Sequence, residues 1–349
     1  MASVLLLLVL LMPALEITGA KSVGVCYGRN GDNLPAEGEV VDLFKSSGIG
    51  RMRMYEPNEA TFQALRGSKI ELTVTILNNE LTALNDATAA TAWVQKNVQP
   101  YSADVRFKYI AVGNEVHPGT AEAGFLLPAI QNIHSAIVAA NLQGEIKVST
   151  AIDTTLVTNA YPPSDGIYTD AANPFITPII NFLVSNGAPL LVNVYPYFSY
   201  NADPNNTDLD YALFTSKGVV VPDGTRYPSL FDALLDAQYS ALEKAGAPNI
   251  EIVVSESGWP SEGGNQATAQ NAATFYQNLI SHVTSTTGTP KRPGRAIETY
   301  LFALFDENLK GPELEKHFGV LSPNKQPKYQ LDHLRIKGVK KSCLKYVNL

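Results

Sequence analysis

The chain has 349 residues, of which 45% are hydrophobic and 17% charged, and its formal net charge is −7. That length and apolar content support a large core, in two domains or in one barrel. The acidic balance argues against a nucleic-acid partner, and two cysteines are too few for a disulfide scaffold.

At the N-terminus every residue from Val4 to Met12 is apolar, and Pro13 follows. The run is too short to span a bilayer. Thr18-Gly19-Ala20 supplies small residues at a cleavage point, so residues 1–20 read as a secretory signal peptide, although no Lys or Arg precedes the apolar run. Secretion to the extracellular space is expected. Residues 21–332 read as one domain. Residues 333–349 carry Arg335, Lys337, Lys340, Lys341 and Lys345 without an acid, and read as a solvated basic tail rather than a lipid-anchor signal.

Between these ends the pattern alternates. Runs rich in Val, Ile, Leu and Tyr predict strands over 22–27, 50–55, 70–77, 107–114, 146–152, 189–195, 250–256 and 296–305. Near-continuous apolar strands fit a parallel sheet buried on both faces. Helical spacing predicts helices over 35–45, 87–98, 126–140, 178–185, 229–244 and 267–282. Pro35 and Pro178 are placed in first turns, and Gly48, Gly187 and Gly246 at helix ends. Eight strands alternating with helices predict an α/β fold, a (β/α)8 TIM barrel. A doubly wound open sheet is the alternative, but Tyr27-Gly28-Arg29-Asn30-Gly31 lacks the glycine spacing of a dinucleotide site. A long connection, 197–227, is rich in Asn, Asp, Pro and Tyr and is expected to help build the site.

Two of the predicted strands end on a carboxylate. One leads through Val112-Gly113-Asn114 to Glu115, the other through Ile252-Val253-Val254-Ser255 to Glu256. A charge at the tip of a buried strand is costly unless it is paired or working. In a barrel both ends face one rim, and two carboxylates across one cleft suit glycoside hydrolysis. The histidines form no i, i+4 pair and join no cysteine cluster, so no metal is expected. No Walker A or GxSxG pattern occurs, and no cofactor is expected. Cys26 reads as a buried thiol and Cys343 as an exposed one, with a disulfide between them left open. Asn205-Asn206-Thr207 makes Asn205 the glycosylation candidate.

The run Ile252 to Pro260, followed by Ser261-Glu262-Gly263, resembles the signature of glycoside hydrolase family 17, the plant β-1,3-glucanases and related β-1,3-1,4-glucanases. The resemblance covers nearly the whole chain after residue 20 and includes Val25-Cys26-Tyr27-Gly28, Arg53-Met54-Tyr55 and Val112 to Glu115. It continues through Asn193 to Phe198 and Asp306 to Lys310. It implies that Glu256 is the nucleophile and Glu115 the acid/base, with net retention of configuration. It also implies that Asn114 bonds the sugar 2-hydroxyl and that Tyr195 orients the nucleophile. Glu307 and Lys310 match an acid and a base of the same cleft, with Lys310 expected beside Glu256 as its charge partner. Tyr55, Tyr195, Phe198 and Trp259 are candidates to stack on glucose rings, or else are core aromatics. Glu315 also matches a family acid and is read as supporting the barrel's end. The expected activity is endo-hydrolysis of β-1,3-glucans by a secreted monomer. A mixed-linkage glucanase and an inactive glucan-binding protein are the alternatives.

Overall fold

The computed structural model describes residues 23–331. The expected signal peptide, the basic tail and Cys343 lie outside the described residues. Eight strands form the barrel: β1 (Val23–Tyr27), β2 (Arg51–Met54), β3 (Glu71–Ile76), β4 (Arg106–Asn114), β5 (Lys147–Asp153), β6 (Leu190–Asn193), β7 (Ile252–Ser257) and β8 (Thr299–Leu301). Each pairs in parallel with its sequence neighbours, and β8 pairs with β1. The sheet is therefore closed, which settles the choice against an open doubly wound sheet. Closure leaves no unpaired edge.

The helices laid around it include α1 (Glu37–Ser47), α2 (Glu59–Leu65), α3 (Ala87–Asn97), α4 (Ala123–Ala139), α5 (Asn173–Ser185), α6 (Leu230–Lys244) and α7 (Ala269–Thr284). The strands bury both faces. Met52, Met54, Leu72, Val74, Ile110 and Val112 pack in the large core cluster with the helices, while Cys26, Tyr109, Ala151, Leu191, Val253 and Tyr300 form a separate cluster that fills the barrel. Polar inward residues break the apolar runs, which is why the strands show no simple alternation. At the N-terminal mouth, Arg51 and Lys108 bond Glu71 at 2.8 and 3.2 Å, and Lys108 bonds Glu298 at 2.9 Å. This network closes the end of the barrel away from the strand tips.

Several predicted boundaries move. The last strand covers only Thr299–Leu301 within the predicted 296–305, because Phe302–Phe305 leave the ladder and bond instead to Ser257, Phe318 and Cys26. Helix α2 was not predicted. It has seven residues and is held by Asn58, whose side chain accepts from the Thr61 N–H. Helices α4 and α5 start earlier than predicted and carry Pro128 and Pro178 inside them, so Pro178 is not in a first turn. Burial of Ile176, Ile179, Ile180 and Leu183 offsets the proline defect in α5. Pro35 precedes α1, whose cap is Ala36. Gly48 caps α1 in the left-handed conformation, as expected. The long connection after β6 folds into short helices over Pro196–Ala202 and Leu209–Ala212 and a small hairpin, Val219–Val220 with Arg226–Tyr227. Among the described residues no helix is long and apolar enough to cross a membrane.

Candidate active site

The two carboxylates are brought to the rim by irregular backbone. β4 shifts register against β5 between Ala111 and Asn114. β7 shifts against β6 between Val254 and Glu256. Such bulges re-aim a side chain at a strand end. Gly113 supplies the first bend with φ +71, and a Cβ there would sit 3.1 Å from both Leu126 and Val116. Glu115 then adopts φ 52, the left-handed region that a residue with a side chain seldom occupies. Its N–H donates to the Ala151 carbonyl at 2.8 Å. Asn78 exchanges two 2.8 Å bonds with the Asn114 backbone and fixes the turn.

Glu256 is 5% exposed and is surrounded by donors. Arg53 donates to its Oε1 at 2.8 Å, the Tyr55 hydroxyl to the same oxygen at 2.7 Å, and the Tyr195 hydroxyl to Oε2 at 2.6 Å. Arg53 is fully buried and also donates to Asn114 Oδ1 at 2.7 Å and to Asn193 Oδ1 at 3.2 Å. Its charge is thus matched inside the barrel, as a buried cation requires. Burial and the neighbouring charges lift both tyrosines well above their ordinary range, so they remain donors.

Glu115 sits differently. Its Oε1 accepts one bond, from Asn193 Nδ2 at 2.7 Å. Burial, then the Glu256 charge, raises its carboxyl from an ordinary 4.5 to about 7, while the Asn193 bond pulls the other way. One carboxylate is saturated with donors and the other holds its proton near neutrality. That division is what an acid and a nucleophile across one bond need.

The cleft crosses the mouth of the barrel in two connected cavities. One, about 560 Å³, is lined by Tyr27, Gly28, Tyr55, Asn114, Glu307 and Lys310. The other, about 380 Å³, is lined by Asp153, Thr155, Asn193, Tyr195, Phe198 and Phe318. They share Glu115, Glu256, Phe302 and Glu315. A larger cavity, about 760 Å³, opens among the strand N-termini around Lys108, Lys147 and Glu298 and contains neither catalytic candidate. The strand-end position favours the smaller pair as the site.

The sequence candidates divide. Asn114, Tyr55, Tyr195, Phe198, Glu307 and Lys310 all line the cleft. Phe198 is 41% exposed and packs on Tyr195 and Phe318, which leaves a free aromatic face on the cleft wall. Trp259 is not a stacking residue. It is 0% exposed, packs on Tyr197 and Phe275, and donates from its ring nitrogen to the Gln266 carbonyl at 3.0 Å. Gly258 turns the chain so closely under the Phe302 carbonyl that the indole is directed into the core. Lys310 pairs with Glu307 at 3.1 Å and lies 4.2 Å from the Phe302 ring centroid, so the cation bonded to Glu256 is Arg53 instead. Glu315 faces the cleft as well as the barrel's end. Cys26 is buried, donates to the Ser255 carbonyl at 3.4 Å, and has its thiol pushed up to about 12 by burial. Asn205 is exposed on the long connection.

Sequence reasoning missed two site residues, Arg53 and Asn193. Arg53 alternates with Arg51 in β2 and Asn193 ends the short strand β6, and neither pattern shows which side chain turns inward. Among the described residues no group of three metal-ligating side chains comes together.

The family model of glycosyl hydrolases family 17 matches residues 23–333. The chain belongs to that family. A glucan endo-1,3-beta-glucosidase of Vitis vinifera is 58% identical over 334 residues, covering 94% of this chain and 96% of the relative. A basic vacuolar glucan endo-1,3-beta-glucosidase of Nicotiana plumbaginifolia is 53% identical, covering 95% and 92%. Among solved structures, a beta-1,3-glucanase and allergen of Cryptomeria japonica pollen aligns with a TM-score of 0.87 at 48% identity, covering 90% of this chain and 99% of that one. In this family 17 barrel the two glutamates, the donors on Glu256 and the cleft aromatics converge on one groove.

Proposed function

We propose that this family 17 chain hydrolyses internal β-1,3-glucosidic bonds of β-glucan, with retention of configuration. The observation that carries the reading is the pairing of Glu115 and Glu256 across one cleft in opposite settings. Glu115 protonates the glycosidic oxygen. Glu256 attacks the anomeric carbon and forms a glucosyl ester. Glu115, now ionised, takes a proton from the water that hydrolyses the ester, which restores both groups. Asn114, aligned by Arg53, holds the sugar 2-hydroxyl, a contact that tightens as the oxocarbenium-like transition state forms. Tyr55 and Tyr195 orient Glu256, and Phe198 offers its exposed ring to a glucose face. Glu307 and Lys310 shape the opposite wall. A cleft crossing the barrel mouth suits cleavage within a chain. We further propose that the protein acts as a monomer outside the cytosol, in the wall or vacuole, with Asn205 open to glycosylation.

The test is reducing-sugar release from a linear β-1,3-glucan beside a mixed-linkage β-glucan, for the wild type and Glu256→Gln. The expected result is a ladder of oligosaccharides from the β-1,3-glucan that the variant does not produce. Release mainly from the mixed-linkage glucan would replace the linkage assignment. Binding without hydrolysis by the folded wild type would replace the enzyme reading with that of a glucan-binding protein.

A further inference from the structure

A third carboxylate stands at the rim. β5 ends on Asp153, whose side chain lines the same cavity as Glu115 and Phe198. Both of its oxygens are engaged by protein groups. Oδ1 accepts from the Thr155 N–H at 2.8 Å and from the Thr155 hydroxyl at 2.6 Å, and Oδ2 lies 2.7 Å from His117 Nε2. His117 follows Glu115 by two residues. The pair therefore ties the turn that carries Glu115 in its left-handed conformation back to β5.

Capping the short turn after β5 accounts for one oxygen of Asp153. Asn or Ser would cap as well. What aspartate adds is a fixed negative charge facing the Glu115 cavity. We propose that Asp153 is a positioning residue for the acid. With His117 it clamps the 115–117 turn to β5, and its charge opposes ionisation of Glu115. The proposal rests on the reading of Glu115 as the acid.

The groups facing Glu115 come from several elements. Glu256 on β7 and Asp153 on β5 disfavour its ionised form, while Arg53 on β2 and the Asn193 amide on β6 favour it. His117 stands on its own turn, and Glu315 and Lys310 share its cavity walls. Burial of Glu256 and Arg53 limits the water that would screen their charges, while Asp153 keeps a side chain 20% exposed. Removing one of the two opposing negative charges must let the Glu115 proton leave at lower pH.

Asp153→Asn isolates the charge, because asparagine still caps the turn and still bonds an imidazole. The expected result is a basic limb of the kcat/KM profile, measured on a β-1,3-glucan oligosaccharide, that moves to lower pH. Above neutrality the variant loses roughly twofold to threefold on the oligosaccharide, in step with the displaced limb. It loses little on a dinitrophenyl glucoside, whose leaving group departs without a proton. Asp153→Glu, which keeps the charge, is expected to keep the wild-type limb. An unmoved basic limb in Asp153→Asn, or an equal loss on both substrates at every pH, would overturn the proposal. If Glu115→Gln retained wild-type activity on the oligosaccharide, the reading of the acid would fall, and this proposal with it.

Discussion

Burial and the nearby Glu256 charge lift the Glu115 carboxyl from an ordinary 4.5 to about 7, and that shift is also a stability effect. The proton is held more tightly in the folded chain than in the unfolded one. The stabilisation is fully present below about 4.5 and is lost as pH rises through about 7. The loss is on the order of 3 kcal/mol. Glu115→Gln removes the group that titrates. We expect its activity on β-1,3-glucan to fall about 10²–10⁴-fold, and its Tm to decline less than that of the wild type between pH 5 and 8. Parallel thermal melts across that range check the second expectation; identical slopes would contradict it. At this scale the two glutamates proposed as acid and nucleophile stood out because a carboxylate ending a buried apolar strand is too costly to keep without a partner or a task. Arg53 and Asn193 were not, because the sequence cannot show that β2 and β6 turn those side chains inward beside Glu256. The same blindness put Lys310 in the place that Arg53 holds.

β4 and β7 each break register beside their glutamate, and these defects deliver both side chains to the cleft. The apolar runs exposed the strands but not the bulges, which depend on how neighbouring strands pair. The last strand was read too long because Phe302–Phe305 are as apolar as a strand and are buried without being in one. Helix α5 was read too short because Pro178 marks a helix start only when tertiary packing does not carry the helix past it. Trp259 shows the same limit at an element junction. Directly after β7 it has the aromatic character of a sugar platform, but the Gly258 turn buries it on α7. Trp259→Phe is expected to lower stability by about 1–3 kcal/mol through lost packing and the lost ring N–H bond. Its KM for glucan should stay near the wild-type value. Denaturant unfolding with steady-state kinetics tests this, and a raised KM at unchanged stability would return Trp259 to the cleft.

The closed barrel places eight strand ends on one rim, and the groove across that rim joins the loops after β1 to β3 with those after β5 and β6. The order of strands and helices made this architecture legible from sequence, since eight strands alternating with helices, without a dinucleotide-type glycine turn after the first, fit a closed barrel. The course of the groove was not legible, because it follows from loop conformation, above all that of the connection after β6. Phe198 stands on that connection. Phe198→Ala is expected to cost about 1–2 kcal/mol of binding, roughly tenfold in kcat/KM on long β-1,3-glucan. The loss should be smaller on a short aryl glycoside that does not reach the Phe198 side. Equal losses on both substrates would place Phe198 outside the binding path. The account as a whole turns on Glu256 becoming covalently bonded to the sugar. A fluorosugar inactivator of the β-1,3-glucosyl type, followed by peptide mass analysis, traps that state directly. The account predicts one added glycosyl mass on the peptide containing Ile252–Pro260, at Glu256. Label on Glu115 or another carboxylate, or turnover with inversion and no adduct, would contradict it.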